Sequence, residues 1–371
     1  MIVLGTISPP PQERPHAHLD RLRRGPGLRA GGGFRRARSW PNQQDGDFVI
    51  KDFKFASGET LPELKIHYTT LGVPKRNAAG AIVNGVLLLH GTSGTSRNWL
   101  QAPVAEELYG EGQPLDASQH FIILPDGIGR GGSSKPSNGL RTKFPHYRYR
   151  DIVEAEHRLV TEGLNVAHLR LVLGTSMGGM HSWMWAEMYP ELMDGVVPIA
   201  SQPVPVTGRN WLYRKMAIEA IRHDPDWNEG NYEKNPTHYV YTAPFSALMT
   251  ESPVRLGERG PTREATDAMY QSMVENVRKG DANDQLYATE AVMDYDPSGD
   301  LHKIKARLLA INFADDEVNP PELHVVEPAI AKIPNARFVL IPASDKTHGH
   351  YTYNLAAVWK AHLAEFMKTL P

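Results

Sequence analysis

At 371 residues the chain has room for two or three domains of about 150 residues, or for one large α/β domain carrying an insertion. Hydrophobic residues at 41% and charged residues at 22% exclude a disordered, collagen-like or coiled-coil chain, and no apolar run reaches the roughly 18 residues that a membrane-spanning helix needs. A net charge of −2 gives no drive toward nucleic acid or anionic lipid, and the absence of cysteine excludes disulfides, a thiol nucleophile and thiolate metal sites.

Residues 1–40 hold eight arginines against Glu13 and Asp20, together with Pro9, Pro10, Pro11, Pro15, Pro26 and the run Gly31-Gly32-Gly33. Such a segment buries too little apolar surface to offset its ordering entropy, which predicts a disordered extension over 1–45. Its apolar opening is interrupted by Gly5 and Thr6, so no secretory signal is visible, and a cytoplasmic location is the default expectation. From Asp47 the pattern changes. Residues 47–55 and 63–70 alternate apolar and polar side chains, as half-buried strands do. Short continuous apolar runs follow at 86–89, 121–124, 169–173, 196–200, 308–313 and 338–341, and these suit a parallel sheet covered on both faces. Helical stretches at 150–164, 177–188 and 353–370 separate several of them. The alternation predicts an α/β fold, a mostly parallel doubly wound sheet with an antiparallel start. Between 201 and 300 the strand signal stops, and helices at 210–222 and 263–279 read as a helical lid inserted into a core of 46–200 and 301–371.

Chemistry concentrates at the ends of the strands. Gly174-Thr175-Ser176-Met177-Gly178 fits the G-x-S-x-G nucleophile elbow, and it stands where a strand passes into a helix. A strained turn there lifts the hydroxyl of Ser176 out at the carboxyl edge of the sheet, where open α/β sheets bind ligands. A serine hydroxyl needs a base to take its proton, and the base needs a carboxylate to orient it. On this fold the chain order is Ser, acid, His. The acid is expected just past the strand 308–313, where Asp315 and Asp316 stand; Asp316, four residues before Pro320, is preferred. The base is expected after the last strand, where His348 and His350 lie, and His350, just before the final helix, is preferred. For the oxyanion, the glycine-rich loop His90-Gly91-Thr92-Ser93-Gly94 follows an early strand, so the N–H groups of Thr92 and Met177 are the expected donors.

Other patterns carry less. The pair His348 and His350 has no third metal ligand at a sensible spacing. A calcium-loop start at Asp294 has Lys305 in place of its twelfth-position Glu. The glycines of 127–132 lack the acid that a dinucleotide site requires. Trp183, Met184, Trp185 and Met188 read as core packing. The expectation is therefore no metal and no cofactor, with a small-molecule acyl ester as substrate and neither nucleic acid nor membrane as partner.

The segments GTSMGGM (174–180), EMYP (187–190), DPDWNEGNY (224–232), DYDPSGDLHKI (294–304) and DGIGRGGSSKP (126–136) add a resemblance. Together they resemble the α/β-hydrolase superfamily and, within it, the homoserine O-acetyltransferase-like family, across 47–370. The resemblance implies that Ser176, Asp316 and His350 are nucleophile, acid and base, and that 201–300 is a helical lid that commonly mediates homodimers. Two positions depart from the transferases. Tyr351 follows His350 where they carry an acid that helps bind the amino group, and Ile218 stands where they carry an arginine for the substrate carboxylate. Arg222, one helical turn on, is the nearest substitute. The loss of both ionic handles favours a serine hydrolase of ester-type acyl substrates, with O-acyl transfer to an alcohol as the alternative.

Overall fold

The computed structural model describes residues 40–371, so the expectation for 1–39 lies outside the described residues. The core starts earlier than the expected boundary at 45. Trp40 is buried edge-on against Tyr109 at 5.4 Å, the Gly72 amide donates to the Pro41 carbonyl at 2.7 Å, and the first strand opens at Gln44.

Eight strands form one sheet: β1 (Gln44–Lys54), β2 (Thr60–Gly72), β3 (Gly85–Leu89), β4 (Phe121–Pro125), β5 (Leu169–Thr175), β6 (Met193–Ile199), β7 (Arg307–Phe313) and β8 (Ala336–Ile341). Their order is β1-β2-β4-β3-β5-β6-β7-β8, antiparallel from β1 to β4 and parallel from β4 to β8. The apolar runs become the inner strands because period-two side chains from a covered sheet must be apolar on both faces. Leu87, Leu89, Val172 and Leu308 thus point into one apolar layer, and Val86, Leu88, Leu173 and Ile311 into the other.

The α-helices are α1 (Ala102–Leu108), α2 (Tyr149–Arg158), α3 (Met177–Met188), α4 (Gly208–Arg222), α5 (Ala243–Thr250), α6 (Pro253–Arg259), α7 (Arg263–Arg278), α8 (Ala282–Glu290), α9 (Val326–Ile330) and α10 (Ala356–Met367). Trp183 and Trp185 of α3 fill the first apolar layer, as the core reading of that cluster expected, while Val104 of α1 and Trp359 of α10 fill the second. Helices α4 to α8 form the insertion between β6 and β7, with no strand among the described residues there. No helix among the described residues is long and apolar enough to cross a membrane.

Two helices differ from their sequence reading. The stretch expected over 150–164 leaves α-geometry after Arg158 and closes with a π turn, Leu159–Gly163, in which the Leu164 amide reaches the Leu159 carbonyl. The Thr161 hydroxyl donates to the His157 carbonyl at 2.8 Å, drawing that acceptor away from the helical ladder. The stretch expected over 353–370 starts only at Ala356, because Leu355 sits at φ −108 and ψ 76 after a single 3-10 turn.

One buried carboxyl group in this frame sets a pH dependence. Glu156 of α2 is 2% exposed and its one hydrogen bond comes from the Trp185 indole at 3.2 Å, so burial pushes its carboxyl up to about 8. Between the ordinary carboxylate value and pH 8 the folded protein therefore keeps a proton that the unfolded chain has released, and stability falls as pH rises. Glu156→Gln removes that dependence. Its melting temperature is expected to exceed wild type by several degrees at pH 8.5 and to converge with it near pH 4.5; a gain that is equal at both pH values contradicts the assignment.

Candidate active site

The parallel order reverses around β3, which has β4 on one side and β5 on the other. Loops leaving β3 and β5 therefore diverge and open a crevice at the carboxyl edge of the sheet. Ser176 stands in that crevice between β5 and α3, at φ 55 and ψ −116, a conformation few residues with a side chain adopt. Close packing holds it there. A Cβ on Gly174 would lie 2.0 Å from the Gly178 carbonyl oxygen, and one on Gly178 would lie 2.1 Å from that of Leu89. The turn is therefore pressed against β3 and admits no side chain at either glycine.

The Ser176 hydroxyl lies 2.8 Å from His350 Nε2, and His350 Nδ1 lies 2.8 Å from Asp316 Oδ2. Both ionisable partners are buried. The other Asp316 oxygen accepts from the amides of Val318 and Asn319, and the Asn319 side chain, tied to the Ala200 carbonyl, donates to Oδ2 at 3.1 Å. Burial alone would raise the Asp316 carboxyl, but the facing His350 and these hydrogen bonds hold it below the usual carboxylate range.

The neighbouring acid does different work. Asp315 Oδ2 accepts from the Thr347 hydroxyl at 2.8 Å and from the Gly349 amide at 3.0 Å, pinning the loop that presents His350. Gly349 is at φ 64, and a Cβ there would meet the Ser252 amide at 2.8 Å. His348 is half-buried and its amide donates to Thr352; it does not line the crevice.

At the other wall, Thr92 lines the crevice and Met177 is buried directly after Ser176, at the amino end of α3. The direction of the Thr92 amide follows from His90, a residue to which the sequence reading gave no separate role in the oxyanion loop. The Gly127 amide donates to His90 Nε2 at 2.9 Å, which leaves the ring proton on Nδ1, and Nδ1 donates to the Gly91 carbonyl at 2.8 Å. The Gly94 amide grips the same carbonyl at 2.8 Å. In a planar trans peptide the carbonyl and the next N–H point opposite ways, so fixing the Gly91 oxygen fixes the Thr92 N–H. Burial lowers the His90 pKa and keeps the ring neutral, as this donor–acceptor arrangement requires.

The crevice encloses about 180 Å³. Helices α4, α5 and α8 of the insertion line one side with Asn210, Tyr213, Arg214, Ser246 and Gln285, and Tyr351 and Tyr353 stand beside His350. Arg222, the expected substitute cation, turns away and pairs with Glu290. Ile218 is buried in the core. Arg214, one turn before Ile218, reaches the crevice instead, and helical spacing from Asn210 was the signal that could have found it.

Three other motif residues act as loop staples. Asp294 accepts from the amides of Tyr149 and Arg150 at the start of α2. Asp126 accepts from the Ser96 and Gly132 amides. Asp224, which lies near Asp226 and His238, has its carboxylate taken up by the amides of Asp226, His238 and Tyr239.

The family described as alpha/beta hydrolase fold matches residues 84–347. A "probable acyltransferase" of Methanothermobacter thermautotrophicus is 29% identical over 330 residues, 86% of this chain and 96% of that protein. A homoserine O-acetyltransferase of Chloroherpeton thalassium is 29% identical over 369 residues, 88% of this chain and 92% of that protein. The solved structure of the acetyl esterase MekB is similar with a TM-score of 0.76 at 25% identity, covering 88% of this chain and 97% of that one.

Proposed function

Because the chain belongs to the α/β-hydrolase family and is homoserine O-acetyltransferase-like within it, we propose that it is a serine hydrolase of ester-type acyl substrates. The relay from Asp316 through His350 to Ser176, 2.8 Å at each joint and open to the crevice, carries this reading. Ser176 Oγ attacks the ester carbonyl while His350 Nε2 takes its proton, and Asp316 stabilises the imidazolium through Nδ1–H. The developing oxyanion is met by the amides of Thr92 and Met177. The C–O bond to the alcohol then breaks, the alcohol leaves with the proton held by His350, and an acyl-enzyme remains. Water enters and attacks the acyl carbon while His350 takes its proton, the bond from that carbon to Ser176 Oγ breaks, Oγ recovers the proton from His350, and the acid departs.

Water is favoured over an amino-alcohol acceptor by one feature: the crevice lining contains no carboxylate among the described residues, and Tyr351 follows His350, so nothing there neutralises an ammonium group. The full-length relatives named as acyltransferase and homoserine O-acetyltransferase support the second reading, in which an alcohol replaces water at the acyl-enzyme. A burst experiment with p-nitrophenyl acetate separates them. Turnover is expected to proceed in water at a rate that homoserine leaves unchanged. Acceleration by homoserine with accumulation of O-acetylhomoserine would instead make the protein a transferase.

A further inference from the structure

Arg214 of α4 lines the same crevice as Ser176 and His350, yet it is only 7% exposed. A guanidinium does not give up its proton, so burial cannot neutralise it. Leaving an ion buried without a counter-charge is strongly unfavourable, and buried charges in proteins are accordingly paired. Here the partners are neutral. Nε donates to Asn210 Oδ1 at 3.1 Å, the Tyr149 hydroxyl lies alongside, and no carboxylate among the described residues comes within ion-pair distance of the group. The other cation on this helix that could have served, Arg222, does have its carboxylate in Glu290. Among the described residues, the crevice lining thus contains a permanent positive charge and no carboxylate.

We infer that Arg214 receives a carboxylate of the substrate, so that the natural ester is an anion. With Nε occupied by Asn210, the terminal amino groups of the planar fork remain, and a carboxylate matches their geometry. The Tyr149 hydroxyl stands beside both Thr92 and Arg214, which puts the cation next to the oxyanion loop and not at the crevice mouth. The carboxylate therefore sits only a few bonds from the scissile carbonyl, on either the acyl or the alcohol half of a short ester. This inference deepens the hydrolase reading, but the binding it asserts does not need turnover.

The test is calorimetry on Ser176→Ala with two matched pairs of esters. Monoethyl succinate against diethyl succinate places the carboxylate on the acyl half; 3-acetoxypropanoate against its methyl ester places it on the alcohol half. The charged member of one pair is expected to bind at least tenfold more tightly than its neutral partner, and that pair assigns the half. Adding Arg214→Met is expected to erase the preference. Adding Arg214→Lys, which keeps the charge without the fork, is expected to weaken it severalfold and serves if the methionine variant does not fold. Equal or tighter binding of the neutral member in both pairs, or a preference that survives in a folded Arg214→Met, overturns the inference. Failure of wild type to hydrolyse any ester would count against the hydrolase reading alone.

Discussion

Ser176→Ala is expected to lower kcat for p-nitrophenyl acetate by about five orders of magnitude while leaving the circular dichroism spectrum and melting temperature unchanged. The size of the loss comes from the position of the hydroxyl. Its oxygen is the only group at the elbow within hydrogen-bond reach of His350, and the alanine leaves that base with no nucleophile to activate. Folding is insensitive because the strain at φ 55 is held by contacts of Gly174 and Gly178 with their neighbours, none of which involves the hydroxyl. The burst seen with wild type should disappear completely. Turnover of the variant within a hundredfold of wild type would remove Ser176 from the role of nucleophile.

Asp316→Asn and Asp315→Asn are expected to separate sharply, although the residues are adjacent. An asparagine at 316 presents either an amide that repels Nδ1–H or an oxygen without the charge that stabilises the imidazolium, and the loss in kcat should be about ten-thousand-fold. At 315 the carboxylate touches only the Thr347 hydroxyl and the Gly349 amide, and the oxygen of an asparagine can accept from both. That variant should lose about tenfold or less, chiefly through a looser His350 loop. Steady-state kinetics on the two proteins, with the burst amplitude as a count of competent sites, reads the difference. Equal damage from both substitutions would mean that Asp316 has no special link to His350.

The strands were legible because a covered parallel sheet demands uninterrupted apolar runs, which few other structures demand in so few residues. Residues 169–173 read directly as such a run, and β5 extends past them only to the elbow. The helices were legible in their existence and less so at their ends. A hydrogen bond at Thr161 ends the α-geometry of α2 and the backbone angles at Leu355 delay the start of α10, and neither has a periodic signature. The elbow was legible because close packing at a strained turn imposes spacing on neighbouring residues, as it does on Gly174, Ser176 and Gly178.

The sequence by itself determined the sheet's composition, the elbow and the order in which serine, acid and histidine follow one another, because each depends on side chains close together in the chain. Only the tertiary structure decided which of two adjacent aspartates faces His350, that His90 aims the Thr92 amide through the Gly91 carbonyl, and that Arg214 enters the crevice while Arg222 leaves it. Each of these depends on a partner distant in sequence: Gly127 for His90, Glu290 for Arg222, and the loop at Thr347 and Gly349 for Asp315. Residue type states what a side chain can donate, accept or repel. Its direction is set by the groups that folding brings against it, and a local pattern contains none of them.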